Sequence, residues 1–392
     1  DWDIATDARP VRILRLFRGS SYTYRFGTVL ARNHEITTFR RDHRYADHRR
    51  PDSVTFSQDI FEDLARRDLT INAIAWGRRG PDAGARMVDP ADGQGDLRAR
   101  LVRAVGDPSQ RFDEDALRLL RAVRIAARLD FTIEPMTLAA MTAHATDVEY
   151  VSEERIGSEI RRMLTADTPS RALRLMHQSG ILRTALPELA ALHDGTGERF
   201  DAAMRTLDET ATANPGDERL AWAATFSELD GRSARRVMDR LRISSREGEA
   251  VGALVDAAAV GYAPDWTDAD VRRYMGLVPA ELLDGLLALR LARAADEEAR
   301  LRESDLAERV DLQRQTATPL TLAQLAVDGR DLRETLGMPE GPAIGIILER
   351  LLADVIEDPT LNTRLTLLTR ASLLLDELVQ AGRGGADDSA IR

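Results

Sequence analysis

The chain has 392 residues, of which 43% are hydrophobic and 30% are charged, enough for about two to four domains with a sizeable core. It contains no cysteine, which excludes disulfides and cysteine-based zinc or thiolate chemistry, and no run approaches the ~18 apolar residues of a membrane span. The net charge of −11 argues against a nucleic-acid partner, but residues 1–200 carry 31 arginines against 30 acidic residues. The N-terminal half could therefore still present a basic face.

The clear strand signals lie in the first hundred residues. They are YRFGTVLA (24–31), HEITTFR (34–40) and the shorter RMVDP (86–90), in which β-branched or aromatic residues alternate with others. The charged segment RDHRYADHRRPDS (41–53) between them predicts a mobile loop. From about residue 112 the pattern is helical, and it is interrupted at GDPSQ, TADTPS, ANPGDE, YAPDWTD and GMPEGP. The order predicts an α+β fold, with a small mixed-sheet head followed by a long all-α remainder.

The stretch DWDIAT opens the chain with two carboxylates. Asp1 and Asp3 are two residues apart, and in a strand this spacing puts both side chains on one face. Glu35 in HEITTFR would add a third carboxylate if the two strands pair. Three acids on adjacent strands suit two Mg²⁺ ions, which take oxygen ligands and substrate phosphates. The alternative is an exposed strand end without a metal.

The segment DLARRDLTINAIAW (63–76) has the spacing of an amphipathic helix. Phe61, Leu64, Ile71 and Ala75 fall on one stripe, but Asp68 falls on it too. A buried carboxylate must be paired or hydrogen-bonded. It would either form a helix-internal ion pair with Arg67 or a neighbouring arginine, or accept from a ribose hydroxyl. In the second case Arg67 and Asn72 would reach phosphate or sugar oxygens.

A third pattern lies in RFDEDALRLLRAVRIAARL (111–129). Asp115, Arg118, Arg121 and Arg124 follow at steps of three on one helical face, opposite an apolar side. This arrangement predicts either a solvated charged face with an Asp115–Arg118 salt bridge, or a nucleotide site.

These motifs, with DPADGQGDL (89–97), resemble in order and spacing the class II tRNA nucleotidyltransferase/poly(A) polymerase family, which adds CCA to tRNA 3′ ends. The resemblance implies a polymerase-β-like head at 1–100, a helical neck at 101–165, a helical body at 166–265, and a tRNA-binding helical tail at 266–380. Residues 381–392 would be disordered. It also implies a cytoplasmic enzyme that uses Mg²⁺, CTP, ATP and tRNA and has no membrane segment. Apolar residues in LLDGLLALRLARA (282–294) would form either core or the surface of a possible homodimer.

Carried over residue by residue, the resemblance implies that Asp1 and Asp3 bind the metals, with Glu35 as the third catalytic carboxylate. Arg67, Asp68 and Asn72 would bind the nucleotide's sugar and phosphates, and Arg121 and Arg124 the triphosphate or the acceptor end. Asp115 and Arg118 would select the base. A carboxylate and a guanidinium match the amino donor and ring-nitrogen acceptor shared by cytosine and adenine, whereas uracil and guanine present a carbonyl and an N–H there.

Other activities remain open at this point. The family's Gly-Gly turn ending in Arg-Asp does not precede Asp1 in this sequence, so the chain as given would have little activity. The alternatives are a poly(A) polymerase, an enzyme that adds only CC or only A, and a catalytically inactive RNA-binding relative. The charged loop at 41–53 favours competence for A addition.

Overall fold

The computed structural model describes residues 3–22, 27–43, 53–78, 84–316 and 318–384, with only the backbone for 379–384. It divides the chain into two compact units, Asp1–Val251 and Gly252–Arg392. The described strands are β1 Ile4–Thr6, β2 Ser21–Tyr22, β3 Thr28–Ala31, β4 His34–Thr38, β5 Arg40–His43, β6 Ser53–Phe56, β7 Ala75–Gly77, β8 Arg86–Val88, β9 Leu101–Val102 and β10 Thr132–Ile133. The predicted α+β class is confirmed, and the finer division into head, neck, body and tail stays a prediction.

Helices account for most of the described chain. The α-helices are α1 Pro10–Leu16, α2 Ile60–Ala65, α3 Gly93–Ala99, α4 Pro108–Glu114, α5 Leu117–Leu129, α6 Pro135–Ala143, α7 Glu153–Leu164, α8 Ser170–Gln178, α9 Ile181–Ala185, α10 Pro187–Ala190, α11 Glu198–Ala213, α12 Glu218–Thr225, α13 Gly231–Arg240, α14 Ser245–Ala258, α15 Asp268–Met275, α16 Leu283–Arg293, α17 Glu297–Gln315, α18 Gly329–Leu336, α19 Pro342–Glu357 and α20 Arg364–Gly384. Short 3₁₀ helices occur at Thr70–Asn72, Ala145–Tyr150, Ala191–His193, Ala280–Leu282, Leu322–Gln324 and Pro359–Leu361.

The head is built on a four-stranded sheet with the order β1-β4-β3-β2. The β1 and β4 strands are parallel, with Ile4 opposite Ile36, while β3 and β4 form an antiparallel hairpin. Helix α1 begins at Pro10, where a missing N–H costs nothing, and it buries Ile13 against Val29 and Ile36. Because β1 and β4 are adjacent and in register, the residues that precede Ile4 and Ile36 come together at one edge.

The segment 63–76 is not one helix, so that prediction is wrong. Helix α2 ends at Ala65, a turn carries Asp68, and the chain continues through the 3₁₀ helix Thr70–Asn72 into β7. The turn is held by backbone bonds to a distant segment: Thr70 N–H donates to the Arg103 carbonyl at 2.9 Å and Val105 N–H to the Asp68 carbonyl at 3.1 Å. These long-range bonds replace the helical ones that the local periodicity predicted.

The pattern at 111–129 is likewise interrupted. Helix α4 ends at Glu114, Asp115 is extended with φ −150° and ψ 105°, and helix α5 begins at Leu117. Asp115 therefore does not share a helical face with Arg118. Its Oδ1 accepts from the Leu117 N–H at 3.1 Å, so the carboxylate satisfies a free donor at the start of α5. Helix α5 itself is central to the core, with Leu119, Leu120, Ala122, Val123, Ala126 and Ala127 buried.

The charged segment 41–53 is partly strand. Residues 41–43 belong to β5 and Ser53 to β6, and the two strands pair antiparallel from Arg40–Phe56 to His43–Ser53. Residues 44–52 lie outside the described part of the chain. At the other end, α20 continues to Gly384, so it covers the first four residues of the segment predicted to be disordered.

The second unit has its own helical core. Val327, Leu332, Ile347, Leu351 and Leu367 are buried together, from helices α18, α19 and α20 and the segment before them. In the 282–294 segment the choice between core and partner surface resolves largely toward core, because Leu283, Leu286 and Leu289 are buried and Leu291 is 43% exposed. No helix among the described residues is long and apolar enough to cross a membrane.

Candidate functional site

An arginine-rich cavity of about 400 Å³ lies in the first unit, between the head sheet and helix α5. It brings together most of the residues that the sequence singled out. Its lining is Asp3, Ile4, Ala5, Thr28, Glu35, Thr37, Arg40, Arg66, Arg67, Asp68, Asp115, Leu117, Arg118, Arg121 and Arg155.

Two carboxylates form one side of this cavity. Asp3 directly precedes Ile4 in β1, and Glu35 directly precedes Ile36 in β4, so the parallel register places them side by side. Both side chains line the cavity, as the D-x-D and HEITTFR patterns predicted. Asp1, the other predicted metal ligand, lies outside the described residues.

The donor chemistry of this edge fits a divalent cation. Asp3 and Glu35 offer carboxylate oxygens beside a cavity rich in cations, and oxygen ligands are what Mg²⁺ prefers. Within the described ranges, there is no group of three or more His, Asp and Glu side chains that could hold a metal ion. Two carboxylates alone are too few for such an ion, so a bound phosphate and a further oxygen donor would have to complete any metal site here.

The turn after α2 supplies the cations facing these acids. Arg66 Nη2 donates to the buried Asp63 at 2.7 Å, and Arg67 Nη2 lies 3.6 Å from the other oxygen of the same carboxylate. Arg67 Nη1 also donates to the Asn72 carbonyl at 3.3 Å. Asp63, which the sequence analysis did not single out, therefore orients both arginines toward the cavity.

Asp68 is paired, but with a residue from another helix. Its Oδ2 accepts from Arg121 Nε at 2.7 Å, and its Oδ1 accepts from Leu69 N–H at 2.9 Å and Asn72 Nδ2 at 3.4 Å. Burial alone would raise the pKa of Asp68, yet Arg121 and these hydrogen bonds hold it below the usual 3.8. Burial would lower the pKa of Arg121, and Asp68 raises it instead. The helix-internal pair of Asp68 with Arg67 or a neighbouring arginine, one of the two alternatives, is not formed, because Asp68 pairs with Arg121. Asn72 donates to Asp68 and does not itself line the cavity.

Asp115 and Arg118 also line the cavity, and each has its own partner. Arg155 of α7 donates through Nη2 to Asp115 Oδ2 at 3.0 Å, and Arg118 Nη1 donates to Glu114 Oε2 at 2.7 Å. Arg118 Nη2 also donates to the Arg66 carbonyl at 3.1 Å. The Asp115–Arg118 salt bridge, one of the two alternatives that the sequence left open, is not formed, and each residue has a separate partner. Both side chains are fixed at the cavity surface with part of their hydrogen-bonding capacity unused.

Two placements differ from the sequence analysis. Arg124 does not line the cavity; its Nε donates to Glu159 Oε2 at 2.6 Å, and that carboxylate is buried. Arg155, which the sequence analysis missed, does line the cavity, and its Nη1 is buried without a hydrogen-bond partner. Arg155 is 40 residues from Asp115, so no local spacing could have indicated it. Arg66 could have been found, because it directly precedes Arg67.

The motif DPADGQGDL packs against the turn that carries Asp68 and does not line the cavity. Asp89 accepts from the N–H groups of Gly93 and Gln94 at 2.7 and 2.9 Å, and so caps the start of α3. Asp96 accepts from Thr70 Oγ1 at 2.6 Å, which ties α3 to the turn that carries Asp68. A Cβ on Gly93 would lie 2.2 Å from the Thr70 carbonyl oxygen, so only glycine allows this close approach. The motif is a scaffold for the cavity rather than part of its lining.

Together these features suit an anionic ligand with a polar ring. Six arginines line the same cavity as Asp3 and Glu35, and a guanidinium group can bind a phosphate through two parallel N–H···O bonds. In the same cavity, the Asp115 carboxylate can accept from an amino group and the Arg118 guanidinium can donate to a ring nitrogen. The arrangement can hold a nucleoside triphosphate with its phosphates at the carboxylate edge.

The sequence and the fold are similar to those of known proteins. Three family models match: "Poly A polymerase head domain" at residues 1–103, "Probable RNA and SrmB- binding site of polymerase A" at 130–192, and "tRNA nucleotidyltransferase domain 2 putative" at 214–371. The chain is similar to the CCA-adding enzyme of Limosilactobacillus fermentum, with 34% identity over 96% of this chain and 88% of the relative. It is also similar to that of Levilactobacillus brevis, with 46% identity over 46% of each chain.

A solved structure extends the comparison to the fold. The Bacillus stearothermophilus CCA-adding enzyme in complex with CTP superposes with a TM-score of 0.73 at 25% identity, covering 97% of this chain and 89% of that one. The similarity therefore extends over nearly the whole length of both chains.

Proposed function

The chain belongs to the tRNA nucleotidyltransferase/poly(A) polymerase family, and from that premise we propose that the arginine-rich cavity selects CTP and ATP for addition to the 3′ end of tRNA. The activity of the chain is the template-independent addition of C, C and A to tRNA. The assignment of individual cavity residues to steps of that reaction is the proposal. One observation supports it most: a single cavity contains the paired acids Asp3 and Glu35, a set of arginines, and the Asp115 and Arg118 side chains.

In the proposed reaction the terminal 3′-hydroxyl of tRNA attacks the α-phosphorus of CTP or ATP. A P–O bond forms to the tRNA oxygen, the bond to the β-phosphate bridging oxygen breaks, and pyrophosphate leaves with that electron pair. Arg66 and Arg67 are oriented by Asp63 toward the carboxylate edge, so they are placed to neutralise the triphosphate. Asp68 stays ionised through Arg121 and can accept from a ribose hydroxyl.

Asp115 and Arg118 are the residues proposed to select the base. Asp115 would accept from the N4 amino group of cytosine or N6 of adenine, and Arg118 would donate to N3 and O2 or to N1. Arg155 and Glu114 hold these two groups in place, so the pattern of donors and acceptors is preset before the base enters. A base with the reverse pattern would leave buried polar groups unpaired.

Enzymes of this nucleotidyltransferase fold generally use a divalent metal ion. We propose Mg²⁺ as the ion, held by Asp1 and Asp3 with Glu35 as the third catalytic carboxylate, on the grounds of the all-oxygen donor chemistry at this edge. When bound, such an ion lowers the pKa of the attacking hydroxyl and stabilises charge on the leaving pyrophosphate.

Extension of defined tRNAs tests the proposal. Three transcripts of one tRNA, ending at the discriminator nucleotide, at C and at CC, are incubated with each NTP alone. We expect CTP to extend the first two, ATP to extend the third, and neither UTP nor GTP to be used. Repeated addition of A to all three transcripts would indicate a poly(A) polymerase. Use of CTP without ATP, or of ATP without CTP, would indicate an enzyme that adds only CC or only A.

A further inference from the structure

A second groove, of about 460 Å³, lies on the first unit beside helix α1. Arg9, Arg12 and Arg15 line it at intervals of three residues, from the N-cap to the last turn of the helix. The remaining lining residues are Asp7, Ala8, Val11, Phe56, Ser57 and Gln58. We call this the arginine groove. None of its residues lines the arginine-rich cavity.

The three arginines of the groove are exposed and differ from those of the cavity in their partners. In the cavity, Arg66, Arg118 and Arg155 each form an ion pair with a carboxylate. Within the described part of the chain, the side chains of Arg9, Arg12 and Arg15 form no ion pair and no hydrogen bond.

Among the described lining residues Asp7 is the acidic one, so the described groove contains one carboxylate and three guanidinium groups. The chain as a whole carries a net charge of −11, and yet these three arginines have no acidic partner among the residues that the structure describes. The charge of the groove fits an external polyanion.

The groove lies close to the carboxylate edge. Asp3 lines the cavity at one end of β1 and Asp7 lines the groove just past the other end, about 13 Å away at 3.3 Å per residue. The two sites also share a strand pair, because Arg40 of the cavity lies opposite Phe56 of the groove in the β5–β6 hairpin. A nucleic-acid strand whose 3′ end lies at Asp3 could therefore reach the groove about four stacked nucleotides upstream, at a rise of 3.4 Å each.

We propose that the arginine groove binds the phosphodiester backbone of the tRNA substrate, as a contact separate from the nucleotide cavity. This inference rests on the proposed function. The row from Arg9 to Arg15 spans about 9 Å of helix at 1.5 Å per residue, which matches successive phosphates of a strand better than a single phosphate. Arginine can bind each phosphate through two N–H groups, and such contacts position a strand without reading its sequence.

The test compares the wild-type protein with a triple variant, Arg9→Gln, Arg12→Gln and Arg15→Gln. We expect the KM for tRNA to rise at least tenfold, while kcat at saturating tRNA and the KM for CTP stay unchanged. In tRNA binding measured without nucleotide, the slope of log K against log salt should become shallower, by about 0.7 for each phosphate of a single strand that is no longer neutralised and so by up to about 2. The corresponding triple lysine variant keeps the charges and should retain most of the slope.

A matched control removes three exposed arginines that lie outside both linings, as Arg205→Gln, Arg219→Gln and Arg232→Gln. It changes the net charge equally, and thermal unfolding of both variants checks that they are folded. A tRNA KM and salt slope equal to those of this control would overturn the proposal, and so would a rise in the KM for CTP with the tRNA KM unchanged. Binding is measured without turnover, so a wild-type protein that binds tRNA but adds no nucleotide would count against the proposed function alone.

Discussion

Changing Asp115 to asparagine tests the base-reading wall with almost no change in shape. In the wild-type protein the carboxylate accepts from Arg155 Nη2 at 3.0 Å, from Leu117 N–H at 3.1 Å and, as proposed, from the amino group of the base. Asparagine has one acceptor oxygen and one donor amide, so whichever way it turns, one N–H group faces another donor. Removing a hydrogen bond to a charged group costs about 1.5–3 kcal/mol.

That cost predicts how nucleotide use changes. If the amide donor faces the base, kcat/KM for CTP and ATP should fall by roughly 10- to 150-fold, at 1.4 kcal/mol for each factor of ten. UTP should gain, because its O4 accepts from the amide where the carboxylate repelled it. The ratio of CTP to UTP use should therefore fall more than the CTP rate itself. The assay measures kcat/KM for each of the four NTPs separately on one tRNA transcript.

Asp113→Asn is the matched control, since Asp113 is exposed, lies outside the cavity lining and loses the same charge two residues away. It should leave all four kcat/KM values near wild type. Thermal unfolding of both variants separates loss of selection from loss of stability. If Asp115→Asn lowers the melting temperature but leaves the relative use of the four NTPs unchanged, Asp115 only caps helix α5 and does not select the base.

Three further outcomes follow from the structure. Asp3→Ala should abolish nucleotide addition while tRNA affinity, measured by filter binding, changes by no more than a few-fold; full-rate addition would remove Asp3 from the catalytic set. Arg121→Met should lower the free energy of unfolding by about 1–3 kcal/mol, because it leaves the Asp68 carboxylate buried without its partner and Arg121 itself is partly exposed. The folded-state pKa of Asp68 is lowered, so the stability it contributes is present above the unfolded-state pKa of about 4 and is lost as the pH falls; urea titrations from pH 7 to pH 3 should show this acid loss in the wild type and little of it in the variant. Gly93→Ala should reduce stability and activity together, because its Cβ would lie 2.2 Å from a backbone carbonyl oxygen, whereas Gly84→Ala, with nothing within 4 Å of the new Cβ, should not; equal melting temperatures for the two would contradict the packing argument.

The sequence predicted what local patterns encode. Alternation located the central strands of the head, and the step of two residues between Asp1 and Asp3 pointed to the edge where Asp3 meets Glu35. Asp115, Arg118 and Arg121, which the spacing grouped together, line one cavity because all three lie near the start of helix α5; their role in binding a nucleotide stays a prediction.

What the sequence did not predict depends on partners that are distant in the chain. The spacing of apolar residues around Leu64 predicted a helix that continues through Asp68. In the structure Asp68 lies in a turn and pairs with Arg121, 53 residues away. Arg124 follows Arg121 at the same spacing and was therefore predicted to bind the ligand, but it donates to Glu159, 35 residues away, and does not line the cavity. A window of ten to twenty residues contains no information about such partners, so propensity is overridden by tertiary contacts.

The Asp68–Arg121 pair has a consequence for the size of the nucleotides that fit. It joins the turn proposed to hold the sugar to the helix proposed to read the base, and Arg118 adds a second tie to the carbonyl of Arg66. These two contacts therefore set the distance between the turn and helix α5. Adenine is a two-ring base, and its Watson–Crick edge lies farther from the sugar than that of cytosine. At one fixed distance, Asp115 and Arg118 cannot contact both edges in the same conformation. We therefore expect the change from CTP to ATP to require rotation of these two side chains, or loss of the hydrogen bond from Arg118 to the Arg66 carbonyl.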